Sequence, residues 1–422
     1  IRLSLVGSEM CIRDRCGTIQ TVAGPCLSMR QAMAGGLIRN LLRTNAAIRA
    51  TAYNFNWAGA WDTFMTYTIS RNITRCTFIL DQLEKVGGLP EAAKATKIAE
   101  AKTLRAWLMF CFYDLYGPVS CVLEPEELSN IGYTPRPTKE TYFNRMVSDL
   151  QESLPYLYDK TNGTGNWGRV NKGLATMLLM KAYMNDHQYD KALPYAESMK
   201  TMGYKLSDDY KDIFINEMND ETVWAVPSGE LAGNEYFFYA FPPNCITFGK
   251  DFEYKSGANR WGGYLMPWEF YDTYDKADAR LEVIFDSYKS ADGTLYTRPG
   301  GGGASDDRIQ QGAVPVKYLC NDSEKYSNGN THIVAFRYAD VLLSLAEIEN
   351  ELNGPTDKAL GYLKQITDRV GVTHTIPADI QSSKEKFKEF LLMERGRELF
   401  MEGWRRQDLI RCLLYTSPSP RD

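Results

Sequence analysis

The chain has 422 residues, 44% of them apolar and 24% charged, with a formal net charge of -5. That length suffices to bury one large core or two, and the acidic balance leaves no broad basic surface for nucleic acid. No run of about 18 apolar residues occurs, which excludes a membrane-spanning helix.

Both ends are set apart from the fold. Residues 1–15 and 412–422 read as translated sequencing-adapter sequence and are treated as a fusion scar would be. On this reading the natural start, with any signal peptide or lipidated cysteine, is missing, and Cys16 at the junction is not a lipoprotein cysteine. A moderately helical pattern then covers Met29–Arg49. From Trp61 to Val86 apolar positions recur at three and four residues, at Ile73, Cys76, Ile79, Leu80 and Leu83. Gly87-Gly88 end that run and Pro90 opens the next helix, which extends to Leu115 with Ala99, Leu104, Trp107, Leu108 and Cys111 on its apolar side. Gly117-Pro118 stop it.

Pro135, Pro137 and Thr138 signal the start of a helix over Lys139–Leu157. Two further helices, Asn171–Asn185 and Tyr189–Met202, are joined by a short turn into a hairpin of about the 34-residue tetratricopeptide length. A second hairpin spans Ala339–Gly371, broken at Asn353-Gly354-Pro355, with Ala359, Leu363 and Ile366 facing inward. A last amphipathic helix covers Lys384–Glu402. Between the hairpins, roughly 207–331, helical rhythm holds only near Pro267–Tyr274 and Ala279–Phe285. The rest reads as long loops with a few short strands such as Glu221–Val226, and Gly300–Gly303 as a flexible loop. Long structured loops on a helical scaffold usually carry function.

Chemistry-bearing motifs are sparse. None of the nine cysteines forms a CxxC pair, and Cys76, Cys111 and Cys121 read as small buried thiols. His187, His332 and His374 are far apart, so no zinc site or His-driven triad is indicated. A P-loop, an HExxH helix and a GxSxG elbow are all missing. Aromatic residues are plentiful, at 26 Tyr, 18 Phe and 8 Trp. The core takes most of them, including Trp107, Trp224 and Trp404, and the excess is available for a flat stacking surface.

Five segments in order resemble the SusD/RagB family. They are Ala99-Glu100 through Leu104-Arg105-Ala106 to Tyr116-Gly117; Gly168-Arg169-Val170-Asn171-Lys172-Gly173; and Tyr271-Asp272 through Asp278 and Arg280. The other two are Arg337-Tyr338-Ala339-Asp340-Val341-Leu342-Leu343, with Ala346-Glu347 and Asn350-Glu351, and Glu394-Arg395 through Glu398-Leu399 to Glu402-Gly403-Trp404-Arg405-Arg406-Gln407-Asp408-Leu409. The chain departs from the family at Thr77, where Asn is usual, and at Gly117-Pro118-Val119-Ser120. The arginines of these motifs read as structural, with Arg105, Arg337 and Arg405 expected to pair with nearby Glu100, Asp340 and Asp408.

The resemblance implies a mainly α fold of tetratricopeptide-like helix hairpins with long loop-rich insertions and a few short strands. It implies an N-terminal helical part, 16–160, and a second part, 161–411, whose loops 207–331 face a ligand. The implied protein is a surface-exposed outer-membrane lipoprotein, attached to the membrane only through a lipid anchor missing from this chain. It would bind an oligosaccharide or another nutrient without catalysis, metal or cofactor, and serve a SusC-like TonB-dependent transporter. Sugar rings pack their C–H faces on aromatic side chains, and their hydroxyls need polar partners. The candidate ligand-binding residues are therefore Tyr53, Trp57, Trp61, Phe248, Trp261 and Tyr264, with hydrogen bonds from Asn54, Asn56, Asn259 and Arg260. The same aromatics could instead cap the helical core. Two rival readings stay open: a glycoside hydrolase of helical fold, which needs two carboxylates in a cleft, and a helical-repeat scaffold that binds protein alone.

Overall fold

The computed structural model describes residues 59–129, 134–216, 218–226, 245–248, 252–253, 265–304, 309–318, 332–372 and 376–412. They fall in two compact units that part between Tyr204 and Lys205. The helix expected over Met29–Arg49 lies outside the described residues. Within them the fold is mainly α, with helix hairpins and a loop-rich middle carrying short strands.

The first unit holds α1 (Gly59–Lys85), α2 (Glu91–Tyr116), α3 (Lys139–Ser153), α4 (Lys172–Asn185) and α5 (Tyr189–Met199). Helices start and stop where local chemistry dictates. The Asn171 side chain accepts from the Leu174 N–H at 2.8 Å and caps α4. Gly117, at φ 69°, takes a left-handed conformation that ends α2. α3 is shorter than expected because Pro155 has no N–H to continue it, and a 3-10 turn, Leu154–Tyr156, follows.

α2 packs against both α1 and α3, so its buried surface exceeds one stripe. Arg105 through Phe110 are all buried, whereas Leu104 and, on α1, Ile79 are exposed, against expectation. A helix gripped on two sides buries positions that a single-face pattern assigns to solvent. Cys121 is buried and Cys76 and Cys111 are half-buried. Burial pushes the Cys76 thiol up to about 11 and Cys121 up to about 12, leaving them inert.

Arg105 does not pair with Glu100. Five residues along a helix is a rotation of about 140°, which points the two side chains apart. Arg105 instead forks onto both oxygens of fully buried Asp149 on α3, at 2.7 Å each, and donates to the Leu123 carbonyl at 2.8 Å and the Thr77 hydroxyl at 2.9 Å. Thr77 passes a hydrogen bond on to the Val122 carbonyl at 2.8 Å, a role its hydroxyl fills where the family carries Asn. Glu100 takes Arg169 from the start of α4.

The second unit has nine strands among its described residues: β1 (Thr222–Val226), β2 (Cys245–Phe248), β3 (Phe252–Glu253), β4 (Met266–Pro267), β5 (Ile284–Phe285), β6 (Ser287–Ser290), β7 (Leu295–Thr297), β8 (Gly312–Pro315) and β9 (Ile333–Arg337). They form an antiparallel β1–β9 pair and two small sheets, ordered β3-β2-β6-β7 and β4-β8-β5. Its main helices are α6 (Trp268–Tyr271), α7 (Tyr338–Asn353), α8 (Asp357–Arg369), α9 (Lys384–Glu398) and α10 (Arg405–Arg411). α7 and α8 make the expected hairpin. Gly354 at φ 84° stops the first helix, Thr356 caps the second, and Ala359, Leu363 and Ile366 are each 0% exposed. The helical rhythm near Pro267–Tyr274 proves to be the single turn α6, and that near Ala279–Phe285 a 3-10 turn running into β5.

Ion pairs knit this unit together. Arg337, 0% exposed, reaches Glu221 at 2.8 Å, Glu398 at 2.6 Å and Glu402 at 2.8 Å. It does not pair with Asp340, because Arg337 still has extended backbone at the mouth of α7 and turns away from that helix. Arg369 joins Glu221 at 3.0 Å and also Glu398. Arg280 holds Asp278, Glu394 and Glu398 at 2.7, 2.7 and 3.2 Å; Arg397 holds Glu394 at 2.8 Å and Lys317 holds Glu402 at 2.5 Å. These five cations and five carboxylates balance while Lys317 keeps its proton, below about pH 7. A second cluster joins Arg395 to Asp340 and Asp408, and Arg411 to Glu347 and Asp408. Arg405 donates to the Leu392 carbonyl at 2.6 Å.

Two outcomes are expected. Arg105→Leu strands the buried Asp149 charge and should cost about 3–5 kcal/mol in urea unfolding, whereas Arg105→Leu with Asp149→Leu should cost less than the single change. Lys317 is fully buried, and desolvation pushes its ammonium down to about 7 despite Glu402. An unfolded lysine titrates near 10.4, so between pH 7 and 10 the unfolded chain binds the extra proton and stability rises with pH. Unfolding midpoints of the wild type relative to Lys317→Met should climb across that window and run flat below it.

Candidate functional site

Most of the residues singled out for ligand binding lie outside the described residues: the aromatics Tyr53, Trp57, Trp261 and Tyr264, and the polar Asn54, Asn56, Asn259 and Arg260. Trp61 falls in the first turn of α1 in the first unit. Phe248 ends β2 in the second unit, in register with Phe252 on β3 and Tyr288 on β6.

That register continues across the sheet, since Tyr288 stands opposite Tyr296 on β7. Phe252, Phe248, Tyr288 and Tyr296 thus occupy successive register positions across the backbone of the sheet. The Tyr288 and Tyr296 rings stack at 5.0 Å between centroids. Tyr288 is buried in the core of this unit, and Tyr296 is half-buried against it.

The same core carries an open edge built by α6 and the residues after β7. Trp268 is 9% exposed, belongs to this core and donates its indole N–H to the Ile309 carbonyl at 2.9 Å. Half-buried Tyr271, one turn later, meets it edge-on at 5.4 Å. The Arg298 guanidinium lies over the Trp268 ring, 4.6 Å from its centre. Asp272 grips it from the side, accepting from Nη1 at 2.6 Å and Nη2 at 2.7 Å. Unlike the core network, this pair reaches solvent, with side-chain exposures of 39% for Arg298 and 50% for Asp272.

The charges follow from the geometry. Arg298 holds the Asp272 carboxyl below the usual carboxylate range, while burial and the nearby acids Asp286 and Asp272 raise the Tyr271 phenol. The cluster has a fixed ion pair and aromatic surface. It is equipped for hydrogen bonding and stacking rather than for proton transfer. Sequence reasoning passed over Trp268, Tyr271 and Arg298. The Trp268-x-x-Tyr271-Asp272 spacing puts an indole and a phenol on one side of a helical turn, but Arg298 arrives from 26 residues beyond Asp272 through a strand pairing no local pattern announces.

Backbone packing fixes the frame of this edge. Gly300–Gly303 forms a tight turn folded back on β7. The Gly303 N–H donates to the Thr297 hydroxyl at 3.1 Å, and a Cβ on Gly303 would lie 2.6 Å from the Leu295 carbonyl oxygen. β4, which leads into α6, is held by β8, where Gly312 faces Pro267. A Cβ on Gly312 would sit 2.2 Å from the Met266 carbonyl oxygen.

Residues 220–417 match the family model described as the SusD family. SusD-like protein P25 of Formosa agariphila is 26% identical over 371 residues, covering 81% of this chain and 68% of that protein. Surface glycan-binding protein A from Bacteroides uniformis superposes with a TM-score of 0.70 at 22% identity, covering 88% of this chain and 78% of that one. Surface glycan-binding protein A from Bacteroides thetaiotaomicron in complex with laminarihexaose does so with a TM-score of 0.62 at 20% identity, covering 82% and 74%. Residues 220–417 thus carry the pattern of the SusD family, and the described fold is similar to that of solved SusD-like structures.

Gly312→Ala should part β4 from β8 and destabilise the protein by about 3 kcal/mol, the upper end for overpacking a core, read as a lowered midpoint in thermal unfolding.

Proposed function

We propose that this SusD-family protein binds glycans at the cell surface without cleaving them and passes them to a TonB-dependent outer-membrane transporter of the SusC type. The observation that carries this reading is the likeness of its fold to a surface glycan-binding protein captured with laminarihexaose. The ligand-facing region is residues 207–331, and the stacking and hydrogen-bonding residues are Trp261, Tyr264, Trp57, Trp61, Tyr53, Phe248, Asn259 and Arg260. The protein is held at the outer membrane by a lipid anchor. No helix among the described residues is long and apolar enough to cross a membrane.

Carboxylate chemistry supports binding over hydrolysis. A glycosidase acid needs a raised pKa and access to substrate. Asp149 is a described carboxyl that burial raises, but it is sealed from solvent under both arms of Arg105. Glu394 and Glu398 are held low by buried arginines, and Asp208 and Asp209 are exposed on a loop.

Affinity gel retardation of the purified chain on a polysaccharide panel, with reducing-end release assayed in the same tubes, tests the reading. Retardation without release, lost in Trp261→Ala, is the expected result. Sugar release would overturn it in favour of a glycoside hydrolase. Neither signal would overturn it in favour of a helical scaffold that binds protein alone.

A further inference from the structure

The Arg298–Asp272 pair differs from an ordinary surface ion pair in how it is held. Exposed pairs between flexible side chains contribute little, because ordering two long chains offsets the attraction. Here the guanidinium lies over the Trp268 ring, 4.6 Å from its centre, and is clamped by two hydrogen bonds to one carboxylate, and Trp268 is itself fixed by its indole bond to Ile309. The backbone at Arg298 is fixed too, its N–H donating to the Asp286 carbonyl at 3.0 Å. The geometry is therefore set before any ligand arrives, which lowers the ordering cost of binding.

What this edge presents to solvent is specific. A guanidinium has five N–H donors, and two are used on Asp272; a carboxylate has about four acceptor sites. Donors and acceptors thus stand side by side on a rigid, partly exposed pair, with the half-buried Tyr271 ring adjoining Trp268. Two neighbouring hydroxyls on a ring each both donate and accept, and match that array. Asp286, whose carbonyl accepts from the Arg298 N–H at 3.0 Å, adds an acid beside the neutralised Arg298–Asp272 pair. An acid added beside a neutralised pair disfavours a carboxylate or sulfate there.

We propose that Tyr271, Asp272 and Arg298 form a subsite for the vicinal diol of an uncharged sugar residue, and that Asp286 and Asp272 disfavour acidic glycans there. This inference rests on the glycan-binding reading above and adds the class of glycan and three residues. Arg298 and Asp272 hold the hydroxyls, Tyr271 offers its ring to a C–H face, and Trp268 is the platform beneath Arg298.

The test is isothermal titration of the whole chain with neutral hexasaccharides (laminari-, malto-, cello-, xylo- and mannohexaose) and with acidic ones (hexagalacturonate and hexamannuronate). Asp272→Asn and Arg298→Gln are titrated alongside, with thermal unfolding confirming that each is folded. A neutral hexasaccharide should bind the wild type, and each variant should weaken it about 10-fold or more, the scale of one hydrogen bond to a charged group. Asp286→Asn should leave neutral binding intact and raise affinity for the acidic sugars at low ionic strength. Wild-type affinity in Asp272→Asn and Arg298→Gln while Trp261→Ala abolishes binding would overturn this subsite and leave the glycan reading standing. Tighter binding of the acidic sugars than of any neutral one would overturn it as well. No binding of any sugar by the wild type would overturn both.

Discussion

Arg337 has no access to solvent and cannot shed its proton, so its charge must be met inside the protein. Everything around it serves that constraint. Its guanidinium divides among Glu221 before β1, Glu398 at the end of α9 and Glu402 in the following turn, and also donates to the Glu398 carbonyl at 2.7 Å. The last carbonyls of a helix lack partners within it, and cations are favoured there. Arg337, Lys317 and the Tyr210 hydroxyl all bond the Glu398 carbonyl, while the Tyr274 hydroxyl takes that of Arg397. The end of α9 is thus closed by side chains from four distant parts of the chain. Taking so many charges from water is costly. The balanced network is favourable only as a whole, which makes it a device for fixing one arrangement of strands and helices.

That device also sets the base of the loop-bearing region. Lys317 lies just after β8 and Arg337 closes β9, and both are drawn to Glu402. Between them the Tyr318 hydroxyl accepts from the Val334 N–H at 2.9 Å, so the two ends of residues 319–331 are tied at their root. Glu221, joined to Arg337 and Arg369, fixes the entry to β1, and the Glu221 carbonyl accepts from the Tyr338 N–H at 2.8 Å. The segments on either side are free to differ in sequence, because the energy that holds their ends resides in the network beneath them.

This division explains what could be read from the residues alone. The helices were legible because their signals are local. Gly117, Gly354, Thr138 and Thr356 mark ends, and Ala359, Leu363 and Ile366 repeat at helical spacing. The ion pairs were not. A reader of sequence looks for partners three to five residues away, at Glu100 and Asp340, whereas Arg105 finds Asp149 and Arg337 finds Glu221, Glu398 and Glu402. The β1–β9 pair, with Thr222 opposite Arg337, is equally invisible, since antiparallel pairing across more than 100 residues leaves no local trace. Leu104 and Ile79 failed for a related reason: a single-face pattern does not foresee a helix packed on two sides. In the candidate site, the Trp268–Tyr271 turn carried a local signal and Arg298 carried none.

Family motifs and ligand choice therefore belong to different residues. Arg105, Arg337, Glu394, Arg395, Glu398, Glu402 and Asp408 are buried, each committed to ion pairs within its own unit. A relative that keeps them keeps the scaffold, whatever it binds. Substitutions there change stability before they change affinity, because each removes one member of a charge-balanced set. The Asp272–Arg298 pair differs in one physical respect, its contact with water. A partly exposed pair can exchange partners with a ligand hydroxyl at small desolvation cost, and its replacement leaves no charge stranded in the core. Specificity can consequently drift at this edge and in the aromatic loops, while the network under them stays under the constraint that every buried charge be answered.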